Sequence, residues 1–78
     1  MPGSQERGAS SLDTTQPGTR HIQTLIRQRT PVSLLLQGGL ELEGTIQWQD
    51  GSFLAISQEG RPLALVNRRA LVMLRTIG

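Results

Sequence analysis

The chain has 78 residues, 36% of them apolar, and its eight cations against six carboxylates leave a formal net charge of +2. A chain this short forms one domain with a small core, and with no cysteine it has neither disulfides nor thiolate metal sites, so association with further copies is the expected stabiliser. No apolar run approaches the ~20 residues of a membrane span and the N-terminus lacks the apolar core of a signal peptide, so a soluble, cytoplasmic protein with no membrane partner is expected.

Residues 1–17 (MPGSQERGASSLDTTQP) are rich in Gly, Ser, Thr, Gln and Pro, hold one leucine, and read as a disordered tail. Charge divides unevenly: Arg7 against Glu6 and Asp13 leaves the tail at −1, and seven arginines against Glu41, Glu43, Asp50 and Glu59 leave residues 18–78 at +3. Every cation is arginine, whose planar fork suits phosphates and stacks on bases, although a GC-rich genome produces the same bias.

Thr19 is placed to cap a helix. Ile22, Leu25 and Ile26 then follow at the spacing of one buried stripe, with Arg20, Gln23 and Arg27 turned away. Pro31 ends the helix at Thr30, giving about 10 residues, too few to stand alone in water and therefore docked on a sheet.

From Pro31 the pattern changes to strands. Val32–Gln37 and the stretch from Leu40 are joined by Gly38-Gly39, which accepts a tight turn. From there Leu40, Leu42, Gly44, Ile46 and Trp48 fall on one side and Glu41, Glu43, Thr45, Gln47 and Gln49 on the other, a period of two that predicts one buried and one wet face. Trp48 is thereby assigned to the core or an interface. Gly44, in mid-strand, permits a sharp bend or a close backbone approach, and is read as the bend that curls the sheet towards a small barrel. Asp50-Gly51 makes a second turn and Ser52–Ser57 a third strand. Gln58 to Pro62 is an exposed tip; Leu63–Val66 and Ala70–Leu74 are a fourth and a fifth strand, separated by Asn67-Arg68-Arg69. These last strands have no polar face and need cover on both sides, the second cover being another copy of the protein. The fold expected is mainly β, a helix followed by about five strongly bent antiparallel strands in an open barrel.

Arg29, Pro31, Val32, Ser33, Leu34, Leu36, Gly39, Leu42, Gly44, Ile46 and Asp50 stand in a pattern, RxPVSLxLxxGxxLxGxIxxxD, that resembles the bacterial Sm-like protein family Hfq. The resemblance runs from about Gly18 to Ile77, and the phrases TRHIQTLI and WQD look like the cyanobacterial-type branch. It implies an Sm-like domain over residues 18–78 that forms a ring, most often a homohexamer, in which the fourth strand of one subunit pairs with the fifth of the next. It also implies single-stranded RNA as partner, held on three surfaces.

The proximal pore would use the turn Asn67, Arg68 and Arg69, where typical members have Tyr-Lys-His, with Gln49 and Ser52 beside it. The family's uridine-stacking aromatic falls on Ser52 and its glutamine neighbour on Gly51; Phe53 is one position away, which in a regular strand is the opposite face. The distal face would use Leu35, at the position of an aromatic, with Gly39 and Leu40 at the turn; Glu41 replaces a usual lysine, so adenine-rich RNA should bind poorly there. The rim would be Arg20, Arg27 and Arg29, with Ile26 in place of a further arginine.

Two functions follow from the resemblance. One is weak RNA binding through proximal and rim arginines in post-transcriptional regulation, with the RNAs supplying pairing specificity. The other is a protein-docking ring, motivated by the altered set Leu35, Glu41, Ser52 and Asn67, whose partner in the cyanobacterial-type branch is a type IV pilus assembly motor. No cofactor is expected. Catalysis lacks support, with no phosphate-cradling GxxxxGK and no combined Ser, His and acid; His21, the sole histidine, reads as an ordinary helix residue.

Overall fold

Proline opens the helix and proline opens the sheet. In the computed structural model, which describes residues 15–77, α1 spans Pro17–Gln28 and β1 starts at Pro31. The expected tail lies outside the described residues except for its last three.

The cap differs from expectation. Gln16 is the N-cap, without a side-chain bond, and Pro17 is the first helical residue, where its fixed φ is already helical and its missing N–H removes a donor that would have no partner. Thr19 is therefore inside the first turn, and only 5% exposed. At the other end Arg29 adopts φ 53° and ψ 43°, the left-handed conformation. The Arg29 N–H donates to the Ile26 carbonyl at 3.2 Å and the Thr30 N–H to that of Leu25 at 3.1 Å, the paired bonds of a Schellman ending.

Five antiparallel strands follow: β1 (Pro31–Leu36), β2 (Glu41–Gln49), β3 (Phe53–Ser57), β4 (Ala64–Asn67) and β5 (Leu71–Thr76), arranged β4-β3-β2-β1-β5. A single 3-10 turn, Arg68–Ala70, joins the last two. The meander expected from the sequence is present, and β4 and β5 are its two edges. Gly38 and Gly39, with φ of 88° and 86°, make the first hairpin, a conformation glycine adopts without strain. A β-carbon on Gly44 would collide with the Ser57 carbonyl oxygen and lie 2.9 Å from the Ile56 Cγ2, so close backbone approach is what this position requires.

The core is one cluster: Leu25 of the helix with Val32, Leu34, Leu36, Ile46, Leu54, Ile56 and Val66, flanked by Ile22, Ile26, Leu42, Leu71 and Leu74. Each fully buried aliphatic contributes roughly 1.5–3 kcal/mol, and the helix stripe belongs to this cluster as its spacing predicts.

Period two fails at both ends of β2. Leu40 precedes the strand, in the hairpin, and is 58% exposed. Between Ile46 and Trp48 the register shifts: Ile46 pairs with Ile56, but Trp48 pairs with Ala55 and Gln49 with Leu54. One extra residue on β2, Gln47, reverses the phase of everything after it. Trp48 leaves the core face and is 41% exposed, and Gln49 takes the core side beneath the helix.

Candidate nucleic-acid interface

The basic turn is built from its backbone outward. Asn67 Oδ1 accepts from the Arg69 N–H at 2.9 Å, closing the 3-10 turn, and the Arg68 N–H donates to the Ser52 carbonyl at 2.9 Å, holding the turn against the loop before β3. Gln37 grips the following residues: its side-chain amide donates to the Arg69 carbonyl at 3.3 Å and its backbone N–H to that of Ala70 at 2.8 Å. On the other side Asp50 Oδ1 accepts from the N–H groups of Ser52 at 2.8 Å and Phe53 at 2.7 Å, the side-chain-to-backbone turn its sequence position predicts. Those two N–H donors, Phe53's first, lower the Asp50 carboxyl below its ordinary value, and Arg68 adds a smaller pull in the same direction.

Between these two loops lies a depression of about 260 Å³ lined by Gly51, Ser52, Phe53, Asn67, Arg68 and Arg69. Four of the five proximal candidates, Ser52, Asn67, Arg68 and Arg69, are thus brought together. Phe53 joins them although it was expected on the opposite face. Alternation holds only within a strand, and Ser52 belongs to the turn while Phe53 is the first residue of β3. An aromatic residue therefore lines the depression, displaced by one position. The fifth candidate, Gln49, stands behind the wall, accepting from Arg68 Nη1 on its Oε1 at 2.8 Å.

The distal candidates divide. Leu35 lines a second depression with Ser33, Glu41, Met73 and Arg75, on the sheet face away from the core. Register explains the set: Glu41 and Met73 stand opposite Leu35, and Glu43 and Arg75 opposite Ser33. Gly39 and Leu40 lie beyond it in the hairpin. Arg75 and Met73 come from β5, whose pairing with β1 no local sequence signal specifies. Arg75 sets a cation on the face whose Glu41 and Glu43 are anionic.

Of the rim candidates, Arg20 and Arg27 line a third depression with Gln23 and Thr24, and Arg27 Nη2 donates to Thr24 Oγ1 at 3.3 Å. Arg29 is exposed at the helix end, outside that depression. His21 is exposed on the helix.

Residues 16–76 match the family model described as Hfq related. An RNA-binding protein Hfq from Hyphomonas neptunium (strain ATCC 15444) is 33% identical over 50 residues, 64% of this chain and 61% of the relative's length, so the match spans about three fifths of that protein. A crystal structure of an Hfq protein from Anabaena sp. superposes with a TM-score of 0.72 at 28% identity, covering 78% of this chain and 97% of that one. The crystal structure of the pleiotropic translational regulator Hfq gives a TM-score of 0.76 at 14% identity, over 85% and 98% of the two chains, a likeness of fold.

Proposed function

The chain belongs to the Hfq-related family, Sm-like in fold and not a family of enzymes, and on that premise we propose that it forms a ring, most simply a homohexamer, that binds single-stranded RNA in the cytoplasm. The observation that carries this is the convergence of Arg68, Arg69, Asn67, Ser52 and Phe53 on one depression. Guanidiniums there suit phosphates and the Phe53 ring offers a stacking face for a base, the pairing of charge and aromatic surface that sequence-tolerant single-strand binding uses. Rotational repetition multiplies these cations around one axis. Binding is weak because Ser52 occupies the usual stacking position and the aromatic residue stands one position away from it. Arg20, Arg27 and Arg29 add phosphate contacts on the helix side. The activity is to bring RNA strands together or remodel them in post-transcriptional regulation.

The test is a titration of uridine-rich RNA across a range of salt concentrations. Arg68→Ala with Arg69→Ala should weaken binding and flatten the dependence of log K on log salt by about 0.7 for each phosphate that is no longer neutralised. Equal affinity and slope before and after would remove the turn from the interface.

The outer sheet face favours a second reading, docking of a protein partner such as a pilus assembly motor. Leu35 and Met73 there are flanked by Glu41 and Arg75, a mixed surface suited to a polypeptide more than to a row of phosphates. A stoichiometric protein that co-purifies after ribonuclease treatment and is lost with Leu35→Glu would support it; retention by that variant would exclude this face.

A further inference from the structure

Arg68 and Arg69 are adjacent in sequence and differently held. Arg69 is exposed and engaged through its backbone. Arg68 is half-buried, and its guanidinium is the first link of a relay: Nη1 donates to Gln49 Oε1 at 2.8 Å, and Gln49 Nε2 donates to Gln23 Oε1 at 2.7 Å and to the Thr19 carbonyl at 3.3 Å. The amide can sit only one way round. A guanidinium has no acceptor and a backbone carbonyl no donor, so Gln49 must turn its oxygen to Arg68 and its nitrogen to the helix.

This relay exists because of the bulge. Without the extra residue at Gln47, Gln49 would project from the outer face of the sheet and Trp48 from the inner one. Burial alone favours that alternative, since it would cover the indole and expose the amide. The chain does the reverse, leaving Trp48 41% exposed and placing an amide between the helix and the basic turn.

We infer that Gln49 is a positioning residue: anchored on α1 through Gln23 and Thr19, it fixes the plane of the Arg68 guanidinium at the edge of the proximal depression, so that the remaining N–H donors meet a phosphate already oriented. The inference rests on the RNA reading proposed above and deepens it by dividing the two arginines. Arg69 is the mobile charge and Arg68 the preorganised fork. A donor held in place before binding loses less freedom on contact, which raises affinity without adding charge.

The test uses Gln49→Met, which removes the amide and keeps a stem of similar length for packing. Affinity for uridine-rich RNA should fall at least about threefold, the effect of leaving one long side chain to be ordered on binding. The salt slope should stay near that of the wild-type protein, because no charge is removed. In an Arg68→Ala background the same substitution should change nothing further. Wild-type affinity in Gln49→Met, or an equal additional loss in the Arg68→Ala background, would overturn the inference. A second measurement needs no RNA. Nitrogen-15 relaxation of the Arg68 Nε–H should report an ordered side chain in the free protein that becomes mobile in Gln49→Met; an Arg68 already mobile in the wild type would overturn the inference by itself. If the wild-type protein binds no RNA but Arg68 is ordered and then released by Gln49→Met, the positioning stands and the RNA reading alone falls.

Discussion

Asp50 shows how much one carboxylate contributes to the site without touching a ligand. It accepts the two N–H groups that shape the loop carrying Ser52 and Phe53, and those bonds favour its charged form. Its pKa is lowered on folding, so the unfolded chain takes up the proton first as pH falls. The stability it supplies is therefore complete above the ordinary value of 3.8 and disappears as pH drops through the lower folded value. Asp50→Ala should lower the urea midpoint at neutral pH, and the gap between variant and wild type should close in acid below 3.8. A gap constant with pH would mean that the charge is irrelevant to the loop. Single residues whose effects are local were the most legible in the sequence. Asp50 announces its turn two residues ahead, and Gly44 announces a special backbone position, although it reads as a bend and the structure shows a close approach in which a β-carbon has nowhere to go. Gln49 was placed beside the proximal turn by the family resemblance, but its contact with the helix was not legible, since the alternation put it on the wet face of the strand.

That face is decided at the scale of elements. The alternation from Leu42 to Ile46 was legible because it is a regular strand with one buried side; one extra residue at Gln47 then shifted phase, and no turn-forming residue marks the spot. The helix was legible through its apolar stripe, while its start was misplaced because Thr19 looks like a better cap than Gln16. Its end carries strain that sequence reading does not reveal: Arg29 holds φ 53°, where a β-carbon costs about 1–2 kcal/mol. Glycine relieves that cost and adds back about 0.5–1 kcal/mol of chain entropy. Arg29→Gly should thus stabilise the protein by about 0.5–1 kcal/mol, seen as a higher urea midpoint with an unchanged slope. A lower midpoint would show that the Arg29 side chain contributes more to the fold than its conformation costs.

Among the described residues, the two edges of the sheet carry exposed apolar side chains. Leu65 on β4 is 53% exposed, and Val72 and Met73 on β5 are 60% and 41% exposed. Trp48 and Leu65 flank Ala55 in one cross-strand row, so the apolar surface continues inward from the β4 edge. A free edge bearing such residues is a template for another strand. Because the two edges differ, the contact we propose joins β4 of one copy to β5 of the next, a head-to-tail arrangement that ends only when a ring closes. The exposed apolar residues were legible from apolar strands in a chain too short to cover them; the pairing of β1 with β5 was not legible from local signals, because it joins distant segments. Leu65→Lys places a charge in that contact and should convert the assembly to 8.5 kDa monomers by light scattering while the fold, read by circular dichroism, persists. The RNA affinity should fall with it by about a hundredfold or more, because guanidiniums that act together around one axis then act one at a time. A wild-type protein that is already monomeric at high concentration would remove the ring, and monomeric Leu65→Lys with undiminished affinity would show that a single basic turn suffices.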